Sequence, residues 1–347
     1  MENRSAFRRK LLAWFDRARR DLPWRASRDP YRIWVSEVML QQTTVSAVIP
    51  YFHRFLDSFP DVRALASADE QAVLNHWQGL GYYRRARHLH AAAKTLVNDH
   101  AGELPDDPAV WAALPGVGRY ILGAVLSQAF DRRLPIVEAN TLRVLSRLFG
   151  SRLDPREGAG KAWVWEAAES VLPRKRVGDF NQAMMELGAL VCTPVAPKCD
   201  VCPARRECVA NQLGLQAAIP PPAKRKELEM VRETALLIQR DRKVLLCQRP
   251  PTAERGAMLW EFPPGAERVG MKVDACSELL TVNHGVTRFR ITLVGLEAKW
   301  VGGEFASDFY TAGVWVTAAE LAEFPMSTPQ GKLRSVWTKA SRQGRLW

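Results

Sequence analysis

Four of the chain's six cysteines fall within residues 192–208, at Cys192, Cys199, Cys202 and Cys208, in the spacing C-x6-C-x2-C-x5-C. No other feature restricts the fold as tightly, because one loop of that length brings four thiolates around a single metal centre. No signal peptide is visible, so a reducing compartment, the bacterial cytosol, is expected, and there clustered thiols mean metal before disulfide. Zinc and [4Fe–4S] both accept four cysteines, and spacing alone leaves the choice open. Pro194, Pro197 and Pro203 stiffen the loop, while Lys198, Arg205 and Arg206 make it basic. Such a loop can press on a nucleic-acid backbone while its metal does no chemistry. Cys247 and Cys276 stand apart.

The formal charge of +12 and pI of about 9.7 favour a polyanionic partner, since each phosphate contact releases counterions. The stretch GKLRSVWTKASRQGRLW at 331–347 carries basic groups and no acid, and reads either as a solvated basic tail or as part of that surface. The basic N-terminal stretch places Phe7, Leu11, Leu12, Trp14 and Phe15 at helical spacing, with Ser5 as its expected cap. It reads as the first helix of the fold rather than a targeting segment. No apolar window is long enough for a transmembrane helix, so no membrane association is expected.

A length of 347 residues suggests two domains. Residues 1–213 read as helices separated by short Pro/Gly breaks. Residues 214–229 contain three consecutive prolines and then a basic run, the signature of a stiff linker. Residues 230–347 have a different texture. Thr234–Gln239 and Val244–Cys247 are β-type runs around a polar turn, Phe289–Val294 is another, and Ala318–Phe324 reads as helical. The expected architecture is a helical domain followed by a smaller α+β domain.

Three further patterns carry chemistry. Leu114-Pro-Gly-Val-Gly118 lies between two helical patterns, Asp107–Ala113 and Arg119–Phe130. Gly116 and Gly118 let backbone approach a ligand, so the amides of Val117, Gly118 and Arg119 are expected to point outward as a phosphate site at a helix start. Glu37 lies in a helix begun by Asp29-Pro30, with Ile33, Trp34, Met39 and Leu40 as core and Gln41 on its own face. An acid so flanked is either a solvated ridge or a buried working group. Glu138 follows an apolar run and precedes Asn140, the expected cap of the next helix. It either supports that helix start or does chemistry.

Taken together, LPWR (22–25), SEVMLQQT (36–43), GLGYYRRARHL (79–89), LPGVGRY (114–120), FNQAMMELGALVC (180–192) and the four cysteines resemble the MutY family of adenine DNA glycosylases, within the helix-hairpin-helix superfamily that includes endonuclease III. VLLCQRP (244–250) and LWEFP (259–263) resemble the Nudix-like domain that family carries. The resemblance implies a mainly α helix-hairpin-helix glycosylase domain with a [4Fe–4S] cluster on Cys192, Cys199, Cys202 and Cys208, plus a C-terminal α+β Nudix-like lesion-recognition domain. It implies a monomer acting on double-stranded DNA that holds an A:8-oxoguanine or A:G mispair. The adenine would be turned out of the stack before excision.

By this resemblance Glu37 is the general acid for the leaving base, and Glu138 stabilises the cationic sugar, the two-carboxylate logic of a retaining glycosidase. Tyr120 stands where bifunctional relatives have the lysine that forms a Schiff base, which implies base removal without strand cleavage. Gln42 and Tyr82 match residues that wedge into the duplex. Arg25 and Glu186 match positions near the adenine pocket. The chain departs from the family in having Glu138-Ala139 in place of Asp-Gly, and Val286-Thr287-Arg288 in place of a Phe-Ser-His loop that reads 8-oxoguanine. Thr287 keeps a hydroxyl and Arg288 can donate, while only Phe289 is at hand to supply the ring. No Nudix hydrolase box follows Gly265, so nucleotide pyrophosphatase activity is not expected. The alternatives are an endonuclease III-like or mismatch glycosylase of different base choice, and a silent DNA-binding homologue.

Overall fold

The computed structural model describes residues 3–223 and 227–342. The basic run Lys224–Lys226 and the last five residues of the expected tail lie outside the described residues. No helix is long and apolar enough to cross a membrane among the described residues.

The helices are α1 (Arg4–Ala18), α2 (Pro30–Leu40), α3 (Val45–Ser58), α4 (Val62–Ser67), α5 (Glu70–Trp77), α6 (Arg84–His100), α7 (Pro108–Ala113), α8 (Arg119–Phe130), α9 (Ala139–Phe149), α10 (Gly158–Val171), α11 (Val177–Leu190), α12 (Val209–Gln212) and α13 (Thr328–Arg342). The strands are β1 (Glu229–Arg240), β2 (Lys243–Gln248), β3 (Trp260–Glu261), β4 (Met271–Val286), β5 (Phe289–Gly303) and β6 (Ala312–Thr317).

The chain forms two compact units, and they are not contiguous in sequence. The first comprises residues 1–56, 61–63 and 92–224; the second comprises 57–60, 64–91 and 225–347. Within the second unit Gln71 donates to the Met258 carbonyl (3.1 Å), Trp260 Nε1 donates to Gln71 (2.9 Å), and the Tyr83 hydroxyl donates to the Met326 carbonyl (2.8 Å).

In the first unit α1 buries Phe7, Leu11 and Phe15 against α9, α10 and α11. Its cap is Asn3, whose side chain accepts the Ala6 amide at 2.9 Å, rather than the expected Ser5, which lies inside the helix. Asp29 caps α2 by accepting the Tyr31 amide at 2.8 Å, and Pro30 costs nothing at a position whose amide has no helical partner. The start of the expected linker is fixed to this unit, because Ile219 is buried and its carbonyl accepts from Arg147 Nε at 2.8 Å.

The second unit carries a mixed sheet in the order β3-β2-β1-β5-β4, with β6 pairing β2. β1 and β5 run parallel; β4 and β5 form a long antiparallel hairpin. Alternation along β1 sends Ala235 and Leu237 to one core, and Leu236 and Ile238 to the other. The expected basic tail is instead helix α13 through Arg342, which buries Leu333 and Trp337 against the first of these cores. The expected helix at Ala318–Phe324 is only a single 3-10 turn, Glu320–Glu323.

Candidate active site

Glu37 lies in the middle of α2 and is 3% exposed. Two side chains of α8 hold it: the Tyr120 hydroxyl donates to Oε2 at 2.5 Å, and Gln128 Nε2 donates to Oε1 at 2.8 Å. Of the two readings, solvated ridge or buried working group, the structure has the buried one. Burial pushes the Glu37 carboxyl above the ordinary carboxylate range, and its partners Tyr120, Gln128 and Arg25 only partly offset that. Burial, then the Glu37 charge, push the Tyr120 phenol well up, with Glu138 adding to it.

Glu138 is itself the cap of α9, correcting the expectation that Asn140 would be. Its Oε2 accepts the Asn140 amide at 2.8 Å and its Oε1 accepts the Thr141 amide at 2.9 Å, while Thr141 Oγ1 accepts the Glu138 amide. Its carboxyl is half-buried, and burial raises it above its usual range against those two amides. The charge of Glu37 raises it further, so the two carboxyls share one electrostatic site with Tyr120. Helix capping therefore fixes where the Glu138 carboxylate points.

Arg25 follows Pro23 and Trp24 in a 3-10 turn and bonds Glu186 of α11 at 3.1 Å. Arg20 grips the same carboxylate from its side chain and its backbone amide, at 2.8 Å and 3.0 Å. Burial acts to raise Glu186, but the two guanidiniums overcome it and hold the carboxyl at about 2. Arg25 thus bonds Glu186 and acts on Glu37 by its charge.

The 114–118 turn joins α7 to α8. Gly116 has φ +76°, a left-handed conformation that glycine adopts without strain. Val117 does not present its amide as expected: the amide donates to the Leu114 carbonyl at 3.2 Å and the side chain is buried. Exposed Gly118 and Arg119 remain at the start of α8, where the helix leaves its first amides unpaired. Arg119 also lays its guanidinium over the Trp165 ring at 4.0 Å. Gln42 is exposed with φ +58° just past α2. In the second unit Tyr82 is 44% exposed with φ +48°, its ring against the Arg85 guanidinium.

Cys192, Cys199, Cys202 and Cys208 line one cavity with Arg147 and Gln216, and none is in a disulfide. Arg147 Nη1 lies 3.4 Å from Cys192 Sγ, and Gln216 Nε2 lies 3.8 Å from Cys199 Sγ. Burial and then the neighbouring thiols raise Cys202 to about 12, and Cys208 upward. No group of three ligand side chains closes on a single metal ion among the described residues. Arg143 ties this loop to the head of α9, donating to the Cys192 carbonyl at 2.8 Å and to Asn140 Oδ1 at 2.9 Å.

In the second unit Thr287 and Arg288 form the exposed tip of the β4–β5 hairpin, with Thr287 at φ +53°. The Phe289 ring lies under both Arg288 (5.0 Å) and Arg255 (5.7 Å). The sequence reading missed Arg255 and Gln128. Gln128 left one signal, a large amide inside the apolar run of α8; Arg255 left none, since only the fold brings its loop to the hairpin.

Residues 35–168 match the family described as HhH-GPD superfamily base excision DNA repair protein, and residues 234–335 match the NUDIX domain. The chain is 44% identical over 217 residues to the adenine DNA glycosylase of Rattus norvegicus, covering 60% of this chain and 42% of that protein. It is 38% identical over 206 residues to the adenine DNA glycosylase of Buchnera aphidicola subsp. Acyrthosiphon pisum, covering 59% of each. The matches thus span about half the length of these curated relatives. A thermostable thymine-DNA glycosylase structure is 31% identical with a TM-score of 0.56, covering 61% of this chain and 98% of that one. An endonuclease III–DNA complex shares the fold at TM-score 0.51 and 21% identity, over 60% of this chain and 95% of that one. The chain belongs to the HhH-GPD superfamily of base excision DNA repair proteins, with a NUDIX domain in its C-terminal part.

Proposed function

We propose that the chain is a monofunctional DNA glycosylase that removes adenine mispaired with 8-oxoguanine or guanine by hydrolysing the N-glycosidic bond. The observation that carries the reading is Glu37, a buried carboxyl that burial pushes above the ordinary carboxylate range, electrostatically coupled to a second acid at Glu138. A neutral carboxyl donates a proton to a ring nitrogen of an extruded base; the glycosidic electron pair then leaves with that base. Glu138, whose ionised form the α9 amides favour and aim, faces the cationic sugar until water adds to it. Tyr120 offers a phenol and no amine, so no Schiff base forms and the strand stays intact. The curated relatives bearing the name adenine DNA glycosylase support the choice of base.

The backbone amides of Gly118 and Arg119 grip phosphate, and Gln42 and Tyr82 enter the duplex. Arg25 and Glu186 line the base pocket, their mutual charge pair keeping it rigid. Thr287 and Arg288, with Phe289 and Arg255, read the opposite base by hydroxyl, guanidinium and ring. The four cysteines hold a [4Fe–4S] cluster. Four thiols lining one cavity suit a four-cysteine metal centre, and the resemblance to the endonuclease III and MutY families favours iron–sulfur over zinc. When bound, the cluster supplies a rigid cross-link and no step of the reaction.

The test uses duplexes with A opposite 8-oxoguanine, A opposite G, and oxidised pyrimidines, each with and without later alkali. Adenine loss revealed only after alkali supports the reading. Direct nicking, or loss of pyrimidines alone, transfers the chain to an endonuclease III-like activity, and binding without base loss contradicts it.

A further inference from the structure

The side chain of Gln128 has no assigned role, yet it is buried and bonded directly to the acid. It lies in α8 among the buried apolar residues Ile121, Ala124, Val125 and Leu126, and is itself 7% exposed. Its Nε2 donates to Glu37 Oε1 at 2.8 Å, while Tyr120 of the same helix takes Oε2. Residues eight apart lie about two turns along one helix face, so a single helix grips both carboxyl oxygens. The backbone under Gln128 is fixed as well. Gly178 of α11 packs against it so closely that a Cβ there would meet Gln128 Cα at 2.8 Å and the Ser127 carbonyl oxygen at 2.4 Å. Asn181 of α11 adds a bond to Ser127 Oγ at 2.9 Å.

We propose that Gln128 is a positioning residue for Glu37: its amide holds Oε1 and confines the transferable proton to Oε2. This rests on the glycosylase reading for its consequence in catalysis, and on geometry alone for the proton's place. An amide N–H donates and cannot accept, so a proton on Oε1 would confront another proton. The Tyr120 hydroxyl accepts as readily as it donates, so Oε2 is the compatible site for neutral Glu37. As the base leaves, the Oε2–H bond breaks, an N–H bond forms on the base, and the glycosidic electron pair goes to the base. The Gln128 N–H then still faces the carboxylate that remains, and the Tyr120 hydroxyl turns from accepting to donating toward Oε2.

The groups facing Glu37 are Tyr120 and Gln128 from α8, Arg25 from the 3-10 turn, and Glu138 at the head of α9. Burial favours the neutral form; Tyr120, Gln128 and Arg25 favour the ionised one.

The experiment labels glutamate at the carboxyl carbon with 13C, assigns the Glu37 resonance by its loss in Glu37→Gln, and titrates it in the full chain without DNA. Gln128→Met keeps the length and removes the amide. Gln128→Asn keeps the amide but is one methylene too short, and serves if the first variant does not fold. In either, the Glu37 midpoint is expected to rise by about one pH unit, the worth of one hydrogen bond to a charged group. The alkaline limb of adenine release moves up with it. A midpoint that stays or falls overturns the proposal, a fall meaning that the amide accepts from Glu37. The titration needs no substrate. A native protein that releases no adenine therefore contradicts the glycosylase reading and leaves this one to its own result.

Discussion

Glu37 and Glu186 are the same residue type, both little exposed to solvent, and their surroundings drive them in opposite directions. Each direction has a consequence for stability. Glu37 titrates higher folded than unfolded, so its contribution is present at low pH and lost as pH rises through its folded value. Glu37→Gln is therefore expected to be more stable than the native chain at pH 8, by about 1 kcal/mol in urea unfolding; a less stable variant would mean that the acid is not strained. Glu186, at about 2, contributes stability that is present above the unfolded carboxylate range and lost as pH falls toward 2. Glu186→Gln leaves Arg20 and Arg25 without their anion and is expected to cost about 3 kcal/mol at pH 7, with the difference shrinking in acid. A constant difference down to pH 2 contradicts the ion-pair account. The sequence showed that Glu37 and Glu138 were acids in unusual company. It did not show the direction of their titration, because that depends on Tyr120, Gln128 and Arg25, residues distant in the chain.

At the scale of elements, the fold around the site rests on close approach between helices. Gly178→Ala forces α11 away from α8, because the added carbon would sit 2.4 Å from the Ser127 carbonyl oxygen. The expected cost is about 2–3 kcal/mol, with slower base release because Gln128 and Tyr120 shift with α8; a neutral substitution would mean that the helices give way freely. At the cysteine loop, Cys202→Ser is expected to lose a broad visible absorbance, and a colourless native protein containing one zinc after anaerobic purification contradicts the cluster. Where apolar spacing was strong, in α1, α2 and α8, helices were legible to within a residue or two. α13 was misread because its basic residues drew attention from Leu333, Val336 and Trp337, an i, i+3, i+4 apolar stripe. β4 and β6 escaped because strands with one half-exposed face show weak alternation.

Across the whole molecule, the contacts of residues 64–91 were the least legible property. Residues 64–91 join the second unit through side-chain bonds from Gln71 and Tyr83, which carry no periodic signal. The net charge of +12 was legible from composition, and it sets the dependence on salt. DNA affinity is expected to fall by about three orders of magnitude between 50 and 200 mM salt if some six phosphates are neutralised. The central claim is that a buried, neutral Glu37 delivers the proton that frees the base. Its most direct test is chromatography of free adenine released from an A:8-oxoguanine duplex in a single turnover, with duplex affinity measured on the same samples. Glu37→Gln is expected to release adenine at least about 1,000-fold more slowly than the native chain at unchanged affinity. Release by the variant at the native rate contradicts the account.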